Sequence, residues 1–148
     1  MKKFVGFSLL VLVAAACAPL PQEVADAPEA IVTPVEDLPP PPPPSARTVE
    51  EFDTTSAEDR AEAAVPDTGG KLLGSEVASL GDPTQPGFWL ETALVTEATR
   101  GRVALADGNA SVEVDLLPAD GGSRLSLPAL RVLGVPLTDL PTVEVYAF

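Results

Sequence analysis

The chain has 148 residues, 17 of them Pro and none of them His, and its 22 acidic residues against 9 basic ones leave a net charge of −13. That length allows one domain at most, and the missing His with a single Cys excludes Ser-His and Cys-His nucleophiles, His-ligated metals and any internal disulfide. The charge argues against nucleic acid as a partner, because a phosphate backbone is held by clustered Lys and Arg and the arginines here are scattered among carboxylates.

The first segment reads as delivery apparatus. Lys2 and Lys3 form a positive start, Phe4 to Val13 an apolar run, and Ala14 to Ala16 a small-residue cleavage site ahead of Cys17. The apolar run falls short of the roughly 20 residues that cross a bilayer, so residues 1–16 are expected to be a secretory signal peptide. Ala-Ala-Ala-Cys resembles a bacterial lipobox, with Ala14 standing where Leu is more usual. The resemblance implies diacylglycerol on the Cys17 sulfur and a further acyl chain on its freed amine. Each buried methylene contributes about 0.8 kcal/mol, and more than one chain holds stably, so lipidated Cys17 is the expected membrane anchor. The other outcome is an ordinary secreted protein cleaved near Ala16 with a free thiol. Ala18 after the Cys, in place of the Asp that favours inner-membrane retention, implies an outer-membrane lipoprotein facing the periplasm. Loss of Lys2 and Lys3 with the signal makes the remaining chain more acidic still.

Residues 17–70 are rich in Pro, Ala, Glu and Asp with Phe52 as the only aromatic residue, the composition of a disordered acidic tether. Pro39 to Pro44 form an unbroken run that adopts polyproline II, and full extension of the segment spans on the order of 150 Å. A rigid spacer needs no partner, although a proline run can also dock in an aromatic groove. One short helix is expected over 55–64, where Thr55-Ser56-Ala57-Glu58 has capping-box spacing and Val65-Pro66 provides the stop. Too short to be stable in water, it is expected to form only by docking on the domain, with Phe52 as its anchor.

Residues 71–148 carry the strand pattern. Glu76 to Leu80 reads as a short strand ended by Gly81-Asp82-Pro83, and Phe88 to Val95 as a second, apolar on both faces and therefore covered on both. Arg102 to Ala106 and Ser111 to Leu117 flank Asp107-Gly108, a hairpin signal. Ser126 is the expected N-cap of a helix over Leu127 to Leu133, with Pro128 in its first turn and Gly134 at C′. Thr142 to Ala147 closes the chain as a strand. The expected fold is mainly β: a small barrel with one short helix behind a disordered linker.

The run from Gly101 to Val145 resembles the second half of the double-psi β-barrel of the rare lipoprotein A family, which orders strand, hairpin, strand, loop, leucine-serine helix and a final Val-x-Val strand in the same way. Val77-Ala78-Ser79 is similar to that family's opening strand. The whole chain, including Phe52-Asp53-Thr54-Thr55, also resembles a group of short alphaproteobacterial lipoproteins often labelled D-galactarate dehydratase. This chain is short for the metal-dependent site that label implies, so a sugar-acid dehydratase stays only as a remote alternative carried by the label. Relatives of this fold that cleave peptidoglycan as lytic transglycosylases carry their catalytic Asp in an Asp-Arg-Gly-Pro loop. The matching loop here is Pro118 to Gly122, where direct alignment places Pro118 opposite that acid and a shift of two positions places Asp120.

Only carboxylates remain for chemistry. An Asp before Gly-Gly is what a tight turn uses, so no catalytic residue, cofactor or metal is assigned, and Asp120 is the one candidate for a divergent glycan-cleaving enzyme. Trp89, Asp82 and Glu91 form the candidate binding surface, Trp89 having a core reading as well as a sugar-stacking one. The expected function is a non-catalytic envelope lipoprotein that presents its barrel to peptidoglycan or to an envelope protein.

Overall fold

The computed structural model describes residues 38–66 and 69–148. The expected signal peptide, the Cys17 anchor and the tether up to residue 37 lie outside the described residues. Six strands, β1 (Lys71–Leu80), β2 (Trp89–Thr92), β3 (Thr99–Leu105), β4 (Ser111–Pro118), β5 (Ser123–Leu125) and β6 (Thr142–Ala147), close into a barrel in the order β1-β5-β2-β4-β3-β6. The fold is mainly β, as expected.

Two of the six pairings are parallel, β1 with β5 and β2 with β4, and the other four are antiparallel. Advancing every strand by three, so that β1 becomes β4, β2 becomes β5 and β3 becomes β6, maps the whole set of pairings onto itself. The barrel thus has an internal two-fold, and each parallel pair joins a strand of one half to a strand of the other.

Alternation along the strands fills the barrel. Val112, Val114 and Leu116 of β4 face Val103 of β3, Leu90 of β2, Leu125 of β5 and Val143 and Val145 of β6, all fully buried. Each such side chain contributes about 1.5–3 kcal/mol when removed from water. Gly101 lets the wall close at its tightest point. A Cβ there would sit 2.6 Å from a Leu116 methyl, inside any tolerable contact.

The hairpin turns where the sequence puts it: Val103 pairs with Val112, and Gly108 takes φ 71° in the turn. Helix α3 (Leu127–Val132) also forms as expected, with the Ser126 side chain accepting from the Ala129 N–H and Gly134 at φ 70° past its end. β1 begins five residues earlier than the sequence pattern suggests, because β6 pairs along its length from Lys71 to Val77 with a bulge between Leu72 and Gly74. β2 is shorter than expected, ending at Thr92.

The spacer expectation changes from Leu38 onward, where the chain is a strap lying on the barrel. It carries two short helices, α1 (Val49–Phe52) and α2 (Ala57–Ala63), so the protein has three helices among the described residues where one or two were expected. Each strap helix starts with a capping box, Thr48 with Glu51 and Ser56 with Asp59, the second one residue later than the sequence spacing suggests. Neither helix is long enough to persist alone. The docking that makes them possible is polar as well as apolar. Ala63 joins the core, while Asp53, its side chain only 1% exposed, meets Arg131 of α3 at 2.9 Å and Arg60 at 3.4 Å. Thr55 donates both its N–H and its hydroxyl to the same carboxylate. Phe52 is only half-buried, so Asp53 and Ala63 are the anchors instead. Further along, Ser111 Oγ donates to the Val65 carbonyl at 2.6 Å and Arg102 to that of Gly69 at 3.0 Å.

Removing one partner of a buried ion pair leaves the other charge without compensation. Arg131→Ala should therefore destabilise the fold by about 1–3 kcal/mol in urea titration, Arg60 and Thr55 retaining part of the contact. Trypsin cleavage after Arg60 should accelerate roughly tenfold as the strap opens locally. Unchanged cleavage would mean that the remaining strap contacts hold without Arg131.

Candidate functional site

The residues expected to form a binding surface do not make one. Trp89 is 3% exposed. Its N–H donates to Ser126 Oγ at 3.2 Å and its carbonyl accepts from the Ser126 N–H at 3.0 Å, which ties β2 to the start of α3. Its ring lies over Gly81, where a Cβ would strike the indole, and its Nε1–H donates to the Gln85 carbonyl at 3.3 Å. A ring so covered is core, and no sugar face can reach it.

The two acids named with it are engaged in holding the fold. Asp82 accepts from the N–H and hydroxyl of Thr84, at 2.8 and 2.7 Å, and the hydroxyl and backbone donors together hold its carboxyl below the ordinary range. Glu91 accepts from Arg124 Nε at 2.7 Å across the β2–β5 ladder. Asp120 stands exposed in the turn between β4 and β5, next to Gly121 at φ 104°.

One acid escaped sequence reasoning. Glu76, half-buried on β1, accepts from Thr92 Oγ1 of β2 at 2.6 Å and from Ser123 Oγ of β5, joining three adjacent strands through one carboxylate oxygen. Among the described residues no group of three or more Cys, Asp or Glu is arranged to hold a metal ion.

Surface depressions among the described residues lie elsewhere. A cleft of about 350 Å³ opens between the strap and the barrel, lined by Leu38, Ala63 and Phe88 together with Glu62, Glu113 and Asp115. Arg100 pairs along the β3–β4 ladder with Glu113 and with Asp115, the latter at 3.2 Å. Partial burial pulls the Arg100 pKa down, but the two carboxylates outweigh it and raise the value. A wider depression of about 700 Å³ lies between the end of β3 and the connection from α3 to β6. Leu105 and Val135 line it, with Leu140 and two prolines, and Asp107 and Asp139 stand among them. Neither depression includes Asp82, Trp89, Glu91 or Asp120.

Tyr146 offers a clean electrostatic probe, being the only Tyr in the chain. Its hydroxyl donates to Glu144 Oε2 at 2.7 Å while the Arg102 guanidinium sits 3.9 Å over its ring. The Glu144 hydrogen bond, then burial and the Glu144 charge, raise the phenol's pKa against the pull of Arg102. A raised folded value means stability present below the ordinary phenol range and lost as pH rises through the folded pKa. Tyrosinate absorbance should accordingly titrate above the usual value of about 10, and Glu144→Ala should bring the midpoint down. A wild-type midpoint at the usual value would remove the bond from solution.

Compared with protein-family models, with curated proteins and with solved structures, the chain matches none.

Proposed function

We propose that the chain is a non-catalytic cell-envelope lipoprotein, acylated at Cys17 and presenting its barrel to peptidoglycan or to an envelope protein from the outer membrane. The carrying observation is how the barrel's acids are used. Glycan cleavage by acid and base needs two carboxyls placed across a substrate cleft, one kept neutral by burial. Glu91 is engaged with Arg124, Asp115 and Glu113 with Arg100, and Asp82 with Thr84; Asp107 and Asp139 line the wider depression but are both exposed, and Asp120 is exposed outside both depressions. Glu76 is bound to two hydroxyls that tie strands together.

The anchor reading draws support from the sequence: a basic start, an apolar run and small residues ahead of the only Cys. Among the described residues no helix is long and apolar enough to cross a membrane, and two or more acyl chains supply stable attachment without one.

Cys17→Ser should move the protein from the membrane fraction to the soluble periplasmic fraction, and a mutant that stays with the membrane would require a different attachment. The purified protein should release no anhydromuropeptides from sacculi, and Asp120→Asn should leave folding and envelope association unchanged. Release by the wild type that Asp120→Asn abolishes would replace the binding module with a lytic enzyme.

A further inference from the structure

We infer that the depression between the end of β3 and the α3–β6 connection is a docking groove for a protein segment that presents an apolar side chain next to Lys or Arg. The inference rests on the reading of the barrel as a binding module and assigns the face that binds and the chemistry of what it binds.

The first support is exposed apolar surface at the groove. Leu140 is 65% exposed on the groove wall, more than any other large hydrophobic among the described residues. Val77 on β1 is 55% exposed and lies across the ladder from Thr142, another lining residue. Apolar patches rimmed by polar groups mark interaction surfaces, and a protruding Leu beside a hollow floored by Leu105 and Val135 has the anchor-and-pocket form of an interface centre.

The second support is that the groove is already built. Pro136 and Pro141 fix backbone angles at the two ends of the connection. The Asp139 N–H donates to the Pro136 carbonyl at 3.0 Å, the Ala106 N–H to that of Thr142 at 3.1 Å and the Ala78 N–H to that of Pro141 at 3.0 Å. The wall is therefore bonded to β1 and to β3, and a ligand meets a shape that costs little to organise.

Charge decides between occupants. Asp107 and Asp139 are exposed on the rim, and the lining contains no Lys or Arg. A second copy of this chain, itself at −13, would bring like charges together, and so would an anionic lipid surface. The lining has no aromatic ring against which a sugar face could stack. A basic segment with an apolar anchor satisfies both the floor and the rim.

Amide NMR of the full chain tests this with short synthetic peptides of alternating Leu and Lys, Leu and Glu, or Ser and Lys. The Leu/Lys peptide should shift the amides of Leu105, Leu140 and Thr142 saturably, and the other two should not saturate. Leu140→Glu should weaken binding about tenfold or more, and Asp139→Lys should weaken it in the same direction. Both changes fall on exposed positions, and an unchanged Trp89 emission confirms the fold. Absent saturation, shifts centred elsewhere on the barrel, or full affinity in Leu140→Glu would overturn the inference. Sedimentation of the Cys17→Ser protein with purified sacculi separates the two claims: co-sedimentation that survives Leu140→Glu and is lost after muramidase digestion assigns glycan as the ligand, which sinks the groove but keeps the binding module.

Discussion

Everything in this barrel depends on the last strand finding two partners. β6 pairs with β1 on one side and β3 on the other, so the six residues from Thr142 to Ala147 close the wall. Without them β1 and β3 become open edges, each a row of unpaired backbone groups. The core loses Val143 and Val145 in the same stroke. Closure also explains why Gly101 is required, since β3 must approach both Tyr146 of β6 and Leu116 of β4 at once.

Local chemistry was legible in the sequence, and long-range pairing was not. Asp107-Gly108 announces its hairpin because positive φ is needed there and glycine supplies it. Ser126 and Gly134 mark the two ends of α3 for equally local reasons. β5 is the opposite case. Ser123-Arg124-Leu125 is too short to show alternation, and it is a strand only because β1 and β2 lie on either side. Asp53 reads in sequence as one more solvated acid in an acidic tract, and its burial depends on Arg131 in a distant helix. Trp89 sits in a strand that the sequence reads as covered on both faces, yet its ring lies against Gly81 and its backbone is tied to Ser126, neither of which a local pattern joins to it.

The same division runs through the candidate site. Asp120 reads as a loop residue from its two glycines, and it stands exposed between β4 and β5 with Gly121 at φ 104°. Glu76 gave no signal, because Ser-Glu-Val is an ordinary strand triplet until the barrel brings Thr92 and Ser123 against it. The groove gave half a signal. Pro136 and Pro141 mark a connection of restricted shape, but the exposure of Leu140 and Val77 depends on which strand each lies beside.

The strap has a mechanical consequence. From its outer end inward its contacts come in series: Leu38 against Gly87, the Thr54 hydroxyl on the Pro40 carbonyl, Asp53 with Arg131, Val65 with Ser111, and Gly69 with Arg102. Tension applied ahead of Leu38 loads these contacts one after another before it reaches β1. Each gives way singly, at a lower force than a ladder of strand hydrogen bonds loaded together. The strap released in this way adds on the order of 100 Å of extended chain, so a pulled protein lengthens and absorbs work while its barrel stays closed.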